Sequence, residues 1–431
     1  MRQNEQITFG DLGVSIDLLE LLEAQKIIHP TPIQEKCIAL GMRGRDIVGV
    51  AQTGTGKTLA FGLPIIEKLK KGKGKCVIML PTRELAIQVE EVLFQLARHY
   101  GIRVALLIGG VSMHQQKVKL RKTPDIIIAT PGRLNDHIQR NTVNLQDFTI
   151  MVLDEADRML DIGFMPQIKL VLSVLPEKRQ TMLFSATMPP EITELASKYM
   201  KNPTKIEVAP SGTSAKNINQ EAIIVHSDKK AEKLNAILRE NNGSTLVFTR
   251  TKHKAKRIAN VLRKAGFEAV EMHSNRTLGQ RRSALEGFKS GKYQVLVATD
   301  VAARGLDVDD ISLIINFNLP QQVEDYVHRI GRTGRAGKSG KAISFIEPNE
   351  LHKFRQIEYF VKRKIDIVDK PSGFFLKSVG ADVQTKPTVQ KRVSKKTWDN
   401  RKKARAGASQ GSTRYGRKKT NPSYNKRRKK A

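Results

Sequence analysis

Cysteine is almost absent from this 431-residue chain, which has only Cys37 and Cys76. Two thiols without paired or metal-ligand spacing exclude a disulfide scaffold and a cysteine-bound metal; reduced thiols in a cytoplasmic protein are expected. Long apolar runs are missing too. No stretch approaches the roughly 20 residues needed to span a bilayer, and the first residues are polar rather than signal-like, so a soluble protein is expected. Acids are the third shortage: 42 Asp and Glu stand against 75 Lys and Arg, a formal net charge of +33. That is far outside the range of an ordinary soluble enzyme and favours a polyanionic partner. The charge is uneven. Lys391 to Ala431 holds 17 Lys/Arg against the single acid Asp399, net +16, so the remaining residues carry +17 and are basic as well.

What is present is a rhythm. Apolar runs at Asp46–Val50, Cys76–Leu80, Val104–Ile108, Asp125–Ala129, Thr149–Leu153 and Thr181–Phe184 alternate with amphipathic stretches such as Arg83–His99 and Glu191–Met200. Continuous apolar strands alternating with helices predict an α/β fold with a parallel sheet covered on both faces. The pattern breaks at Ala209-Pro210-Ser211-Gly212 and resumes with strands at Thr245–Phe248, Ala269–Met272, Gln294–Ala298, Leu313–Phe317 and Ala342–Ile346. Helices are expected near Lys252–Lys264, Gly279–Lys289 and Gln321–Ile330. The expected organisation is a domain at 1–208, a linker at 209–217, a second domain at 218–370 and a basic tail at 371–431. The tail is poor in apolar residues and dense in Lys, Arg, Ser, Gly and Asn, a composition that favours disorder.

The first half carries two chemical signatures. Ala51-Gln52-Thr53-Gly54-Thr55-Gly56-Lys57-Thr58 follows a strand and opens a helix. Glycines there let backbone N–H groups close around phosphate oxygens at a helix start. Lys57 suits the β- and γ-phosphates, and the Thr58 hydroxyl suits Mg²⁺. Ala51 stands where the motif usually begins with Gly. Asp154-Glu155-Ala156-Asp157 follows the run Ile150–Leu153 directly. Asp154 is placed to hold Mg²⁺ directly or through water, and Glu155 to polarise an attacking water. Asp157 reads as an orienting or coupling residue.

These segments sit in an ordered series that resembles the DEAD-box ATP-dependent RNA helicases over roughly residues 9 to 365. The series runs Pro30-Thr31-Pro32-Ile33-Gln34, the phosphate loop, Pro81–Ala86, Gly109-Gly110, Thr130–Arg133, Asp154–Asp157 and Ser185-Ala186-Thr187. It continues with Val247–Arg250, Ala298–Asp307 and His328–Arg335. The string His273–Thr277 and the basic tail look most similar to the bacterial RhlE-like subgroup. The resemblance implies two tandem RecA-like domains, with ATP and Mg²⁺ as cofactors. It implies that Gln34 reads the adenine edge, that Phe9 packs on the adenine side and that Asp307 meets the ribose hydroxyls. Two positions depart from the pattern: Ile27, where the family usually has Phe or Tyr, and Leu278, where many members have Gln three residues before an Arg, here Arg281.

By the same resemblance Arg335 is the arginine finger, with Arg332 beside it, both opposite the phosphate loop. Asp157, Ser185, Thr187, Asp300, Arg304 and His328 would couple the two domains. RNA contacts are implied for Arg83, Gly110, Thr130 and Arg133 in the first domain, and for Arg250, Thr251 and Thr299 in the second. These are donors suited to sugar–phosphate, which position a strand without reading sequence.

The expected partner is single-stranded and duplex RNA rather than a membrane, and the expected protein is a monomer. Ribosomal precursors and an RNA-degradation complex both remain open as assemblies it serves. In the tail, Trp398, Tyr415 and Tyr424 interleave with basic residues, which suits a nonspecific RNA tether; a plain solubilising extension and a nuclear-type basic signal at Lys426–Lys430 are the other readings. Two activities fit the motifs: ATP-driven separation of short duplexes, and an ATP-gated RNA clamp or annealing chaperone.

Overall fold

The computed structural model describes residues 7–52, 54–208, 218–303, 311–334 and 339–370. The expected linker and tail, and Thr53, Arg304, Asp307 and Arg335, lie outside these residues.

Two seven-stranded sheets form the frame, and every strand pairing within them is parallel. The first contains β1 Ile47–Val50, β2 Cys76–Met79, β3 Val104–Leu107, β4 Ile126–Ala129, β5 Ile150–Leu153, β6 Gln180–Ser185 and β7 Thr204–Glu207. Its spatial order is β3-β4-β2-β5-β6-β1-β7. The central strands are buried at every position, because helices cover both faces and leave no polar side to an apolar run. Alternate residues feed opposite cores: Ile150 and Val152 pack into one cluster, Met151 and Leu153 into the other.

The second sheet contains β8 Ile218–Ile224, β9 Thr245–Thr249, β10 Ala269–Met272, β11 Val295–Thr299, β12 Leu313–Asn316, β13 Gly340–Ile346 and β14 Asp366–Asp369. Its order, β10-β11-β9-β12-β13-β8-β14, repeats the first when each strand is matched to its counterpart in chain order. Both sheets belong to one compact unit. We refer to the elements around each sheet as the first and second lobes.

The sequence pattern located all but three strands. The exceptions, β7, β8 and β14, mix charged or amide residues into short runs, and β7 and β14 are mostly exposed edges. The stretch expected to be helical from Gln321 starts its helix at Glu324. No helix among the described residues is long and apolar enough to cross a membrane.

Candidate nucleotide and RNA site

Strand order places the first signature beside the second. β6 lies between β1 and β5, so the carboxyl ends of three neighbouring strands bring together the loop after Val50, Ser185 and Asp154. The loop is held from outside. Thr31 Oγ1 donates to the Thr55 carbonyl at 2.8 Å, and Gln34 Nε2 donates to the Gly56 carbonyl at 3.0 Å. Gln34 Oε1 also accepts from Thr31 N–H, closing a capping box at the start of the helix Pro32–Met42. Gly56 has φ +86°, and a Cβ there would collide with the Gln34 amide, so both backbone and space demand glycine. Gly54 is likewise left-handed. Within the loop, Thr55 Oγ1 donates to the Gln52 carbonyl.

Lys57 is 7% exposed, donates to the Ala51 carbonyl at 3.0 Å and lies 4.0 Å from Asp154. Thr58 follows it in the first turn of the helix Lys57–Leu69. Burial pushes the Asp154 carboxyl up to about 6; Lys57 pulls it down, and Glu155 adds to the upward push. A buried carboxylate calls for a positive partner, which Lys57 supplies here and which a bound cation would also supply. Mg²⁺ usually takes one or two carboxylates and fills its other positions with water and phosphate oxygens. Asp154 and the Thr58 hydroxyl fit that donor set.

Glu155 has φ +55°, a left-handed non-glycine residue at the start of the helix Ala156–Asp161. Such a conformation costs about 1 kcal/mol or more and is retained where surroundings over-determine it. Here Arg158 does so, one turn on, with Nη1 3.0 Å from Glu155 Oε2. The Asp157 carboxylate gathers Ala186 N–H, Thr187 N–H and the Thr187 hydroxyl at 2.8–3.1 Å, while Asp157 N–H donates to Ser185 Oγ. Asp157, Ser185 and Thr187 are thus one hydrogen-bonded cluster. Phe9 is 2% exposed within the first-lobe core, and Ile27 packs half-buried against the same cluster.

The second lobe faces this site. Arg158 Nη2 lies 2.9 Å from His328 Nδ1 across the cleft. Arg158, Asp300, His328, Arg329 and Arg332 line one small pocket there; Gln52, Thr187, His328 and Phe360 line another. Arg332 is 3% exposed. Asp300 is gripped bidentately by Arg329 at 2.6 and 2.7 Å, and Arg329 also bonds Asn316 and the Asn318 carbonyl. Sequence reading passed over Arg158, although its spacing of three from Glu155 on a helix was the available signal.

The other candidates gather at strand ends. Arg83 lies against Gly109 and left-handed Gly110 after β3, and Arg133 Nη1 donates to the Val111 carbonyl at 3.0 Å. Thr130 follows β4 and is 8% exposed. In the second lobe Arg250 and Thr251 follow β9, and Thr299 ends β11. Thr251 caps the helix Lys252–Lys264. Arg250 is engaged by Glu350 at 2.9 Å.

The chain matches two family models, DEAD/DEAH box helicase over residues 31–195 and helicase conserved C-terminal domain over residues 229–337. It is 44% identical over 368 residues to the DEAD-box ATP-dependent RNA helicase CshA of Bacillus cereus, covering 85% of this chain and 70% of that protein. For CshA of Bacillus subtilis the identity is 43% over 369 residues, covering 85% and 75%. Among solved structures, S. cerevisiae Dbp5 bound to RNA and ADP BeF3 superposes with a TM-score of 0.77 at 30% identity, covering 84% of this chain and 95% of that one. With two repeated parallel sheets, a buried lysine and acid at adjacent strand ends, and relatives of this similarity, the chain belongs to the DEAD-box helicase family.

Proposed function

We propose that this chain hydrolyses ATP in the cleft between its lobes and uses the cycle to bind, bend and locally separate RNA strands. The observation that carries the reading is the chain of contacts from Glu155 through Arg158 to His328, which ties the hydrolytic acid of one lobe to the other lobe. In this reading the Ala51–Thr58 loop and Gln34 hold the nucleotide, and Asp307 and Phe9 flank its sugar and base. Thr58 and Asp154 hold Mg²⁺, which when bound neutralises phosphate charge. Glu155 orients and deprotonates the attacking water. Lys57, Arg332 and Arg335 stabilise the transferring γ-phosphoryl group. Asp157, Ser185, Thr187, Asp300, Arg304 and His328 transmit lobe closure. Arg83, Gly110, Thr130, Arg133, Arg250, Thr251 and Thr299 hold the sugar–phosphate backbone of one strand, giving little sequence preference.

The deciding experiment is ATP turnover with and without RNA for the wild type and Glu155→Gln. Strong stimulation by RNA but not DNA, and near-total loss in the mutant with ATP binding retained, are expected. Turnover indifferent to RNA, or an active mutant, overturns the mechanism.

The net +16 between Lys391 and Ala431 favours a second reading, an ATP-gated clamp or annealing chaperone. Comparing strand separation with strand pairing, with and without residues 371–431, separates the two. Within the first reading the protein is a cytoplasmic monomer of the RhlE-like kind acting on ribosomal precursors, with an RNA-degradation complex as the other setting.

A further inference from the structure

Behind the candidate RNA contacts of the first lobe lies a buried polar chain that the proposed mechanism leaves unused. His137, in the last turn of the helix Pro131–Gln139, is fully buried, and Gln116, in the helix Met113–Arg121, is 2% exposed. His137 Nε2 lies 3.2 Å from Gln116 Oε1, and Nδ1 lies 2.8 Å from Thr142 Oγ1. Gln116 Nε2 donates to the Ile108 carbonyl at 3.0 Å and reaches the Val111 carbonyl at 3.4 Å. Arg133 Nη1 donates to that same Val111 carbonyl. Between the two carbonyls lies the turn Gly109-Gly110, and both Gly110 and Arg133 are candidate RNA contacts.

We propose that His137 is a positioning residue for the RNA-stimulated reaction: through Gln116 it fixes the turn that carries Gly110 and the carbonyl that holds Arg133. The bonds admit one direction only. The Gln116 amide nitrogen gives its hydrogens to two carbonyls, so the amide oxygen faces the ring and can only accept. His137 Nε2 must therefore carry a hydrogen. Burial keeps the ring neutral by lowering its pKa; Arg133, Lys117 and Arg140 act in the same direction, and Asp136 opposes them. A neutral ring has one N–H, so Nδ1 accepts from the Thr142 hydroxyl. The His137 carbonyl is satisfied without that hydroxyl, because Thr142 N–H donates to it at 3.0 Å. From Thr142 to His137 to Gln116 to the turn, every donor points the same way, and each bond polarises the next. Glycine at 109 and 110 imposes little of its own on the backbone, so bonds from outside decide the shape of the turn. A side chain without the Nε2 hydrogen leaves a buried amide oxygen unpaired, and the amide that rotates to recover a partner releases the turn. The functional consequence rests on the proposed RNA-dependent ATPase; the protonation of the ring does not.

The test uses the full chain. His137→Leu is expected to raise the RNA concentration for half-maximal ATP turnover roughly five- to tenfold, with kcat at saturating RNA and ATP binding without RNA unchanged. His137→Gln, whose amide N–H reaches the place of Nε2, should return half-saturation to within about twofold of the wild type. Gln116→Leu should match His137→Leu, and the double variant should be no worse than either, since both break one chain. Thr142→Val, at a partly exposed position, should shift half-saturation in the same direction, and it decides the question if His137→Leu fails to fold. Nitrogen NMR of histidine-labelled protein near neutral pH, with His137→Gln identifying the resonance, should show a neutral ring with its hydrogen on Nε2. Unchanged half-saturation in these variants, a fall in kcat alone, strictly additive losses, or a His137→Gln variant as impaired as His137→Leu overturns the proposal, as does a hydrogen on Nδ1. If wild-type turnover ignores RNA, the proposed function fails. Binding of a labelled oligouridine by the same variants, with and without a non-hydrolysable ATP analogue, then decides the positioning role.

Discussion

Arg158 and His328 are 170 residues apart in sequence and 2.9 Å apart in the fold, and Arg158 is only 2% exposed. The same guanidinium holds Glu155, itself 3% exposed. Arg158→Ala therefore leaves a buried carboxylate unpaired as well as cutting the link between lobes. A loss of about 3–5 kcal/mol in folding stability is expected, together with a fall in ATP turnover. Arg158→Lys keeps the charge but loses the planar fork, so it should retain more stability than turnover. Denaturant unfolding and steady-state turnover on the same preparations check this; an Ala variant with wild-type stability contradicts it.

Gly110 is constrained twice over. Its φ is +79°, and a Cβ would run into the guanidinium of Arg83. Gly110→Ala should displace Arg83 and cost about 1 kcal/mol or more in backbone strain. RNA affinity is expected to drop several-fold while ATP binding in the absence of RNA stays level. Equal loss of both would mean the glycine serves the first-lobe fold rather than the strand.

His273 is 4% exposed and neither ring nitrogen has a hydrogen-bond partner among the described residues. Burial lowers its pKa; Glu271 opposes this, and Arg276, Lys256 and His253 reinforce it. The folded protein thus keeps the ring neutral after the unfolded chain has begun to take up a proton. Stability attributable to this residue is intact above about pH 6.5 and falls as pH drops below it, until the folded group titrates. His273→Gln should lose less stability than the wild type between pH 7.5 and pH 5. Parallel pH profiles in denaturant unfolding refute the assignment.

Removal of residues 371–431 should weaken RNA binding and flatten its dependence on salt. Every phosphate that the tail no longer neutralises lowers the log–log slope by about 0.7 on single strands. Fluorescence binding titrations from low to moderate salt measure that slope, and an unchanged value removes the tether.

Much of the architecture was written in the local pattern, for a physical reason. Strands buried on both faces, such as Ile126–Ala129 and Ile150–Leu153, must be apolar throughout, and helices such as Lys252–Lys264 show their buried face at regular spacing. β14 escaped because Asp366-Ile367-Val368-Asp369 is an exposed edge with no face to hide. The phosphate loop and Asp154–Asp157 were legible because their chemistry is contiguous in the chain. The Arg158–His328 pair was not, since it depends on where separate lobes meet. The resumed rhythm and the family resemblance announced two like domains, but the spatial order of their strands was not legible, for the same reason. Two sheets can share a wiring diagram while their turns differ in composition.

That repetition leaves the molecule lopsided. β8 is the counterpart of β1, yet it runs into Val225-His226-Ser227-Asp228 with no glycine to fold around a phosphate. The chain is a pair of like halves; in the proposed cycle the first carries the nucleotide loop and the second completes the site across the cleft. One chain then offers one engine and no neighbouring engine to which a strand can be handed. In the proposed cycle, parting of the halves releases the RNA rather than passing it along, a cycle suited to short local rearrangements.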